Sequence, residues 1–297
     1  MAGSQDFTAD PRNAEVLVYV NGALVPRAKA MVSIFDAGFS MGDGVWEGLR
    51  LHKGRMLFLE AHMGRLMAGA GAIGLKGVDR AALERALDET IAANGMSDGV
   101  HLRLMVTRGE KATVNQDPRN ALGPPTVVVT AEYKLSAPGR ALRLATSAIR
   151  CSGADTFNMR LNSHSRLNLI TALLEAIEAG ADEALMLDPR GFVSSCNATN
   201  LFFVKNGGVF TSTGEFCFNG ITRANIIALC RAEGLAISLR DYGLDEAREA
   251  DEAFVTGTLG GVTPVGAIDG HEIAAPGPIT LRLALAYEAM KDREAGA

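Results

Sequence analysis

The sequence contains no lysine between Lys134 and Lys205, although it has seven lysines among 297 residues. Its four cysteines show no C-x-x-C spacing, which disfavours a disulfide framework or a metal site and favours a reducing cytoplasm. No apolar run has the length of a membrane-spanning helix, and the N-terminal residues are polar, unlike a signal peptide. Basic residues form no stripe and the net charge is -5, which disfavours binding to nucleic acid. We therefore expect a cytoplasmic protein without membrane or nucleic-acid partners.

Length and composition indicate a globular protein of one large or two medium domains. About half of the residues, 47%, are hydrophobic and 21% are charged, as is usual for such proteins. Residues 1–134 are predicted to form a small α/β domain, in which Asn21 and Gly22 mark a hairpin turn. Its predicted elements are a hairpin over 16–25, helices over 60–72 and 80–94, and strands over 100–108 and 126–133.

Residues 142–297 are predicted to form a larger domain, after a linker over 135–141 that is rich in Ser, Pro and Gly. Strands and helices alternate along it, and Gly180 is expected to end its first helix. The predicted elements are strands over 142–149, 183–187, 192–204, 236–239, 252–256 and 263–268, and helices over 165–179, from 222, near 245 and over 279–292.

Several motifs occur in one order along most of the chain. They are G-D-G-V-W-E-G-L-R (42–50), E-A-H-M-G-R-L (60–66), G-A-D-E-A-L-M-L-D (180–188), G-F-V-S-S-C-N-A-T-N-L-F-F-V (191–204), N-G-I-T-R (219–223) and F-V-T-G-T-L-G-G-V-T-P-V (254–265). Together they resemble the class IV aminotransferases, which include branched-chain and D-amino-acid aminotransferases and aminodeoxychorismate lyase. The resemblance implies an α+β, two-domain fold of the D-amino-acid aminotransferase type. It also implies pyridoxal 5'-phosphate or pyridoxamine phosphate as cofactor and a homodimer.

Three elements are candidates for binding the cofactor phosphate. Gly220, Ile221 and Thr222 stand where a helix begins, and a helix N-terminus offers unpaired N–H donors to an anion. The residues alone equally suit a helix cap made by Thr222. In the family this turn binds the phosphate, and the resemblance implies the same role for the second candidate element, Thr256, Gly257 and Thr258. The third is Arg65 in H-x-x-R-L, which alone would suit a solvated helix face and by resemblance reaches the phosphate.

The resemblance also implies a lysine that forms a Schiff base with the cofactor, and this lysine is missing. Spacing in related sequences puts it at Asn162, or at Leu161 or Arg160 after a slip, and none of these side chains can form an imine. Lys29 is the best placed of the remaining lysines. The glutamate that contacts the pyridine nitrogen is replaced by Ser195, which cannot supply a negative charge. We therefore predict that any bound cofactor is held without a covalent bond.

Polar residues replace the missing groups. Asn162, His164, Arg166, Ser195 and Cys196 are the candidate catalytic residues. They suit a rebuilt site, in which His164 is an acid or base or Cys196 is a nucleophile. They equally suit a hydrogen-bond network that merely fills the space of the lysine.

On the substrate side, Arg103 resembles by position the arginine near the substrate carboxylate in branched-chain enzymes. Trp46 and Met41 stand where relatives often carry a residue that shapes the pocket, although such residues are more often core. The R-x-H pattern of D-amino-acid enzymes is absent after T-R-G (107–109), which disfavours that specificity.

We therefore expect a cofactor-binding protein that acts on small amino or keto acids. Two alternatives remain open, namely a non-catalytic relative that only binds the cofactor, and a hydrolase or lyase that uses the phosphate site for another substrate.

Overall fold

The computed structural model describes residues 7–135 and 140–296. Contacts divide these residues into two compact units. The N-terminal unit comprises 8–135, 161–166 and 292–296, and the C-terminal unit comprises residue 7, 140–160 and 167–291. The sequence prediction had placed 161–166 and 292–296 in the larger domain. The linker over 135–141 stays a prediction, since 136–139 lie outside the described residues.

The N-terminal unit contains one sheet and three helices. Its strands are β1 (Leu17–Val20), β2 (Ala23–Pro26), β3 (Gly44–His52), β4 (Arg55–Met56), β5 (Val100–Thr107) and β6 (Thr126–Tyr133). Its helices are α1 (Ala37–Met41), α2 (Leu59–Ala72) and α3 (Arg80–Ala93). The strand order is β2-β1-β6-β5-β3-β4, and every pairing is antiparallel.

The two faces of this sheet differ in chemistry because side chains alternate along each strand. In β3, Val45 and Leu49 are buried and belong to a core that also contains Met63 of α2. Trp46 and Arg50 alternate with them and therefore lie on the opposite face. That second face carries two of the candidate substrate residues, Trp46 and Arg103.

Residues 161–166 lie against the free edge of β3. The Trp46 N–H donates to the Asn162 carbonyl at 2.9 Å, and the His164 N–H donates to the Gly44 carbonyl at 2.9 Å. Strand β4 pairs only with the last residues of β3. The first residues of β3 are therefore free to make these bonds. These hydrogen bonds place 161–166 in the N-terminal unit.

The C-terminal unit contains a mixed nine-stranded sheet. Its strands are β7 (Leu142–Thr146), β8 (Glu183–Leu187), β9 (Val193–Cys196), β10 (Asn200–Lys205), β11 (Gly208–Thr211), β12 (Ile237–Leu239), β13 (Glu252–Gly257), β14 (Gly261–Ile268) and β15 (His271–Glu272). The order is β12-β11-β10-β13-β14-β7-β8-β9, and β15 pairs with β14. Strand β7 runs parallel to β8 and β14, and β11 runs parallel to β12. Its helices are α4 (Leu167–Glu178), α5 (Ile221–Ala232), α6 (Leu244–Arg248) and α7 (Pro278–Glu294), whose last three residues are counted with the N-terminal unit.

Most predicted elements are confirmed. The predicted turn follows β1, with Asn21 and Gly22 both at positive φ. The prediction of one strand over 192–204 is wrong, because the chain breaks between β9 and β10. There the Asn197 side chain accepts a hydrogen bond from the Ala184 N–H at 2.8 Å. The sequence interpretation also missed α1, β3, β4, β11 and β15.

Candidate functional site

A buried carboxylate organises the N-terminal unit. Glu47 lies on the apolar face of β3, and its side chain is fully buried. It accepts hydrogen bonds from Arg65 Nε at 2.8 Å and Nη2 at 2.6 Å, and its Oε2 lies 2.7 Å from Nδ1 of His62. Such bidentate, charge-assisted contacts fix the plane of the guanidinium group. The candidate phosphate ligand Arg65 is therefore held in one orientation.

The charge of Glu47 is stabilised by these two partners. Burial by itself would raise the pKa of Glu47, but the hydrogen bonds from Arg65 and His62 outweigh it and hold the pKa below its usual value. The sequence interpretation missed both Glu47 and His62. Glu47 could have been noticed in the sequence, because it is a charged residue at a position where the alternation along the strand predicts a buried apolar side chain. A buried charge needs a partner.

Asn162 is enclosed by its neighbours. Its side chain is 7% exposed, and its Nδ2 donates to the Trp46 carbonyl at 2.5 Å. Its Oδ1 accepts a hydrogen bond from Arg166, whose Nε also donates to the Ser163 carbonyl at 3.0 Å. Both hydrogen-bonding ends of the amide are therefore in use.

Arg166 and Arg103 meet at one aromatic ring. The guanidinium carbon of Arg103 lies 4.0 Å from the Trp46 ring centroid and that of Arg166 lies 5.3 Å away. Burial lowers the pKa of Arg166 to about 10, and the positive charges of Arg103 and Arg65 act in the same direction. The structure thus brings together three predicted residues, Trp46, Arg103 and Arg166. The remaining candidate substrate residue, Met41, ends α1 and is 39% exposed.

Burial favours the neutral form of His164. Burial lowers its pKa, which a hydrogen bond to the backbone of Val45 only partly opposes. Its Nε2 is buried and has no hydrogen-bond partner among the described residues. The ring packs against Gly44, where an added Cβ would lie 2.8 Å from the ring Cδ2. Because Nε2 is buried, a bound molecule cannot reach it in this structure, so its vacancy alone does not support a role as acid or base.

In the C-terminal unit, helix α5 begins without a side-chain cap. Its N-cap residue is Gly220, and the candidate residues Ile221 and Thr222 form its first turn. An added Cβ at Gly220 would lie 2.7 Å from Oδ1 of Asn200, so glycine is required for this close approach. Thr222 is 4% exposed, and its hydroxyl lies 3.4 Å from that of Tyr287. An uncapped N-terminus of a twelve-residue helix suits a phosphate group.

Asn200 contacts both groups of phosphate candidates in this unit, the one at Gly220 and the one at Thr256. Its Oδ1 accepts from the Gly220 N–H at 3.2 Å, while its own backbone pairs with Thr256 across β10 and β13. Thr256 is buried, whereas Gly257 and Thr258 are partly exposed where β13 ends. The structure therefore brings the two predicted threonine-glycine elements to one place. Asn200 was missed, although an asparagine at the start of an apolar strand was visible in the sequence.

Ser195 lies beside Asn200, whereas Cys196 lies in the core. The Ser195 hydroxyl donates to the Thr199 carbonyl at 2.6 Å and accepts from Nδ2 of Asn200 at 3.1 Å. Cys196 is 5% exposed and belongs to an apolar cluster, where burial raises its pKa well above the usual value. A protonated, inaccessible thiol is a poor nucleophile, so the structure argues against that role for Cys196.

Two lysines of the N-terminal unit differ in their surroundings. Lys29 is exposed at the end of a short helical turn. Lys111 is buried, and its ammonium group donates to the Asn115 carbonyl.

Among the described residues, no helix combines the length and apolarity that spanning a membrane requires.

Comparisons with known proteins define the family. The model of the family described as "Amino-transferase class IV" matches residues 44–268. The chain is 39% identical over 287 residues to branched-chain-amino-acid aminotransferase-like protein 2 of Arabidopsis thaliana, covering 95% of this chain and 51% of that protein. It is 35% identical over 259 residues to a putative branched-chain-amino-acid aminotransferase of Methanocaldococcus jannaschii, covering 86% and 89%.

Solved structures agree with these sequence relatives. The branched-chain aminotransferase of Thermoproteus uzoniensis with norvaline has a TM-score of 0.86 at 28% identity, covering 95% of each chain. A second branched-chain amino acid aminotransferase, solved with pyridoxamine 5'-phosphate, has a TM-score of 0.87 at 31% identity, covering 94% of this chain and 95% of that one.

These matches settle the class of protein. The chain belongs to the class IV aminotransferase family and has its fold, as the motifs predicted. Pyridoxal 5'-phosphate is the cofactor of that family. The chain spans about half the length of the Arabidopsis thaliana relative.

Proposed function

We propose that this chain binds pyridoxal or pyridoxamine phosphate without a covalent bond and acts on small amino or keto acids. The observation that carries the proposal is the state of Asn162. The residue at the expected lysine position is buried and bound at both ends of its amide. No amine occupies residues 161–166, and arginine cannot form an imine at neutral pH. The aldehyde end of the site therefore does not fit covalent attachment.

The phosphate end does fit the cofactor. Gly220, Ile221 and Thr222 would hold the phosphate at the uncapped start of α5, and Thr256 adds a buried hydroxyl near the same asparagine. Within the N-terminal unit, Glu47 orients the guanidinium group of Arg65, to which the family resemblance gives a role in binding phosphate. Backbone donors, hydroxyls and a fixed cation are the groups that bind phosphate esters. These residues support retention of the ligand by its phosphate alone.

When bound, the cofactor supplies an electron-withdrawing ring, which Ser195 supports less than a carboxylate would. His164 is the candidate acid or base, and its buried Nε2 has to become exposed to the ligand before it can accept a proton. Arg103 can orient a substrate carboxylate, because guanidinium groups bind carboxylates in a planar, bidentate geometry. The named relatives favour branched-chain amino acids as the first substrates to test.

A non-catalytic role is the second candidate. The observation in its favour is that Asn162, Arg166 and the Trp46 carbonyl form a hydrogen-bonded network that fills its own space. A binding protein would retain the phosphate site without needing a proton acceptor. A hydrolase or lyase stays a weaker alternative, because the buried Cys196 offers it no nucleophile.

One experiment separates these functions. The purified protein is titrated with pyridoxal phosphate in a calorimeter and then treated with borohydride, and its mass is measured by mass spectrometry. We expect the calorimeter to detect binding and the mass of the protein to stay unchanged. A cofactor adduct on any lysine would refute non-covalent binding. Single-turnover reaction of the pyridoxamine phosphate complex with branched-chain keto acids then tests catalysis, and release of an amino acid excludes the non-catalytic role.

We also propose that the protein is a homodimer. One face of α4 is apolar and exposed, with Leu167 at 76%, Ile170 at 53% and Leu174 at 55%. A contiguous apolar stripe of this kind is usually covered by a partner. Light scattering should give the mass of two chains, and Leu174→Glu should favour the monomer, whereas Leu122→Glu at another exposed site should not. The cytoplasmic location stays a prediction.

A further inference from the structure

Residues 218–220 lead into α5 without belonging to a helix or a strand themselves. The side chain of Asn200 bonds this segment at two points. Its Oδ1 accepts a hydrogen bond from the Gly220 N–H at 3.2 Å, and its Nδ2 donates to the Phe218 carbonyl at 2.8 Å. The amide therefore pairs with the backbone on both sides of Asn219, as a neighbouring strand would.

Asn200 is itself fixed by regular structure. It is the first residue of β10, it is 5% exposed, and its backbone pairs with Thr256 of β13. The residues that follow it in β10, Leu201 and Phe202, are buried. A buried side chain on a paired strand has little freedom to move. It can therefore hold residues 218–220, which have no regular pairing of their own.

The orientation of the Asn200 amide is determined by its partners. Its Nδ2 also donates to Oγ of Ser195 at 3.1 Å and lies 3.7 Å from Sγ of Cys217. The carbonyl end has to face the Gly220 N–H, and the NH2 end has to face the acceptors, so a flipped amide would lose these bonds. An added Cβ at Gly220 would lie 2.7 Å from Oδ1, which shows how closely the two groups approach.

We propose that Asn200 is a positioning residue, which holds residues 218–220 in the conformation that binds phosphate before any ligand is present. The inference rests on the proposed function in taking the start of α5 as the phosphate site. Asn200 occupies the Gly220 N–H, and the N–H groups of Ile221 and Thr222 come next in the first turn, where a helix leaves its donors unpaired. A turn that is ordered in advance loses less conformational entropy when the ligand binds.

The first test measures hydrogen exchange in the full chain without added ligand. Asn200→Ala removes the acceptor of the Gly220 N–H and should speed exchange in residues 218–222 about fivefold or more, which corresponds to the loss of one hydrogen bond. Asn197→Ala is the matched control, because Oδ1 of Asn197 also accepts a backbone hydrogen bond in this unit, from the Ala184 N–H at 2.8 Å. That variant should speed exchange at Ala184 and leave 218–222 unchanged. Unchanged exchange of 218–222 in a folded Asn200→Ala protein would overturn the proposal.

The second test measures the Kd for pyridoxamine phosphate by calorimetry. Asn200→Ala should raise this Kd about tenfold. Asn200→Asp should raise it further, because the carboxylate lacks the NH2 donors and adds a negative charge at the turn. Asn200→Asp keeps an acceptor for the Gly220 N–H, so it tests the role even if Asn200→Ala does not fold. Asn197→Ala should lower the Tm without raising the Kd, and an equal rise in Kd for Asn197→Ala, or an unchanged Kd for Asn200→Asp, would refute a positioning role.

The result is distinguishable from failure of the proposed function. A parent protein that does not bind pyridoxamine phosphate refutes the proposed function. The exchange measurement needs no ligand, so it still supports or refutes the hold of Asn200 on residues 218–220. Binding of pyridoxamine phosphate by the parent, with exchange and Kd unchanged in the Asn200 variants, refutes the role of Asn200 and leaves the proposed function standing.

Discussion

The start of α5 in the C-terminal unit and residues 161–166 in the N-terminal unit carry different kinds of candidate groups. At α5, backbone donors, Gly220 and the hydroxyl of Thr222 stand where the family resemblance places them. In 161–166 the amide of Asn162 is bonded to the guanidinium group of Arg166, and we propose that these groups replace an amine. The first region offers main-chain donors, whereas the second offers side-chain groups. On the proposed function, binding by phosphate would persist without a covalent contact.

The largest expected effect comes from rebuilding the changed region. Asn162→Lys combined with Ser195→Glu should raise transaminase activity about 100-fold or more, because a tethered amine can lower a barrier by about 7–11 kcal/mol, of which part should be regained. The positive charge of Arg166 beside the new lysine should lower its pKa and favour the reactive free amine. Activity with a branched-chain amino acid and mass after borohydride reduction are the measurements.

Controls make this rebuilding informative. Asn162→Lys alone should become modified by the cofactor with less activity, and Arg119→Lys should add an exposed lysine without modification. A folded double variant that binds cofactor but gains neither mass nor activity would show that Asn162 is not the lysine position.

The next largest effect concerns the buried ion pair of Glu47 with Arg65. Glu47→Gln removes one partner of a buried ion pair and should destabilise the protein by about 3–5 kcal/mol in urea unfolding at neutral pH. The folded pKa of Glu47 is lower than its unfolded value. Its stabilisation is therefore complete above the unfolded pKa and is lost as the pH falls through the folded pKa.

The pH dependence gives this prediction its control. The parent should lose stability more steeply than Glu47→Gln as the pH falls below about 4.5, the ordinary value for glutamate. Equal slopes for the two proteins over that range would mean that Glu47 is not the titrating group.

Sequence patterns predicted local structure better than they predicted the site. The hairpin at Asn21 and Gly22 needs only its own residues, since both adopt positive φ. The break between β9 and β10 depends on Asn197 bonding Ala184, which lies on another strand. The approach of Arg103 and Arg166 to the Trp46 ring likewise requires three distant segments, so no local pattern could predict it.

A smaller effect tests the geometry at the start of α5. Gly220→Ala places a Cβ 2.7 Å from Oδ1 of Asn200 and should shift the first turn of the helix. We expect the Kd for pyridoxamine phosphate to rise about tenfold, equivalent to about 1.4 kcal/mol. Gly243→Ala is the control, because Gly243 is also a helix N-cap but has open space around it. Equal affinities for both variants would mean that this turn does not contact the phosphate.

The smallest expected effect concerns Cys196, which was a candidate nucleophile and lies in the apolar core. Cys196 lies in the apolar core, and burial raises its pKa, so its thiolate is scarce at neutral pH. Iodoacetamide should therefore leave Cys196 unlabelled in the native protein and label it after unfolding, as read by peptide mass spectrometry. Cys230, which is also buried, serves as the internal comparison. Rapid native labelling of Cys196 alone would restore it as a nucleophile, because only an accessible thiolate reacts selectively.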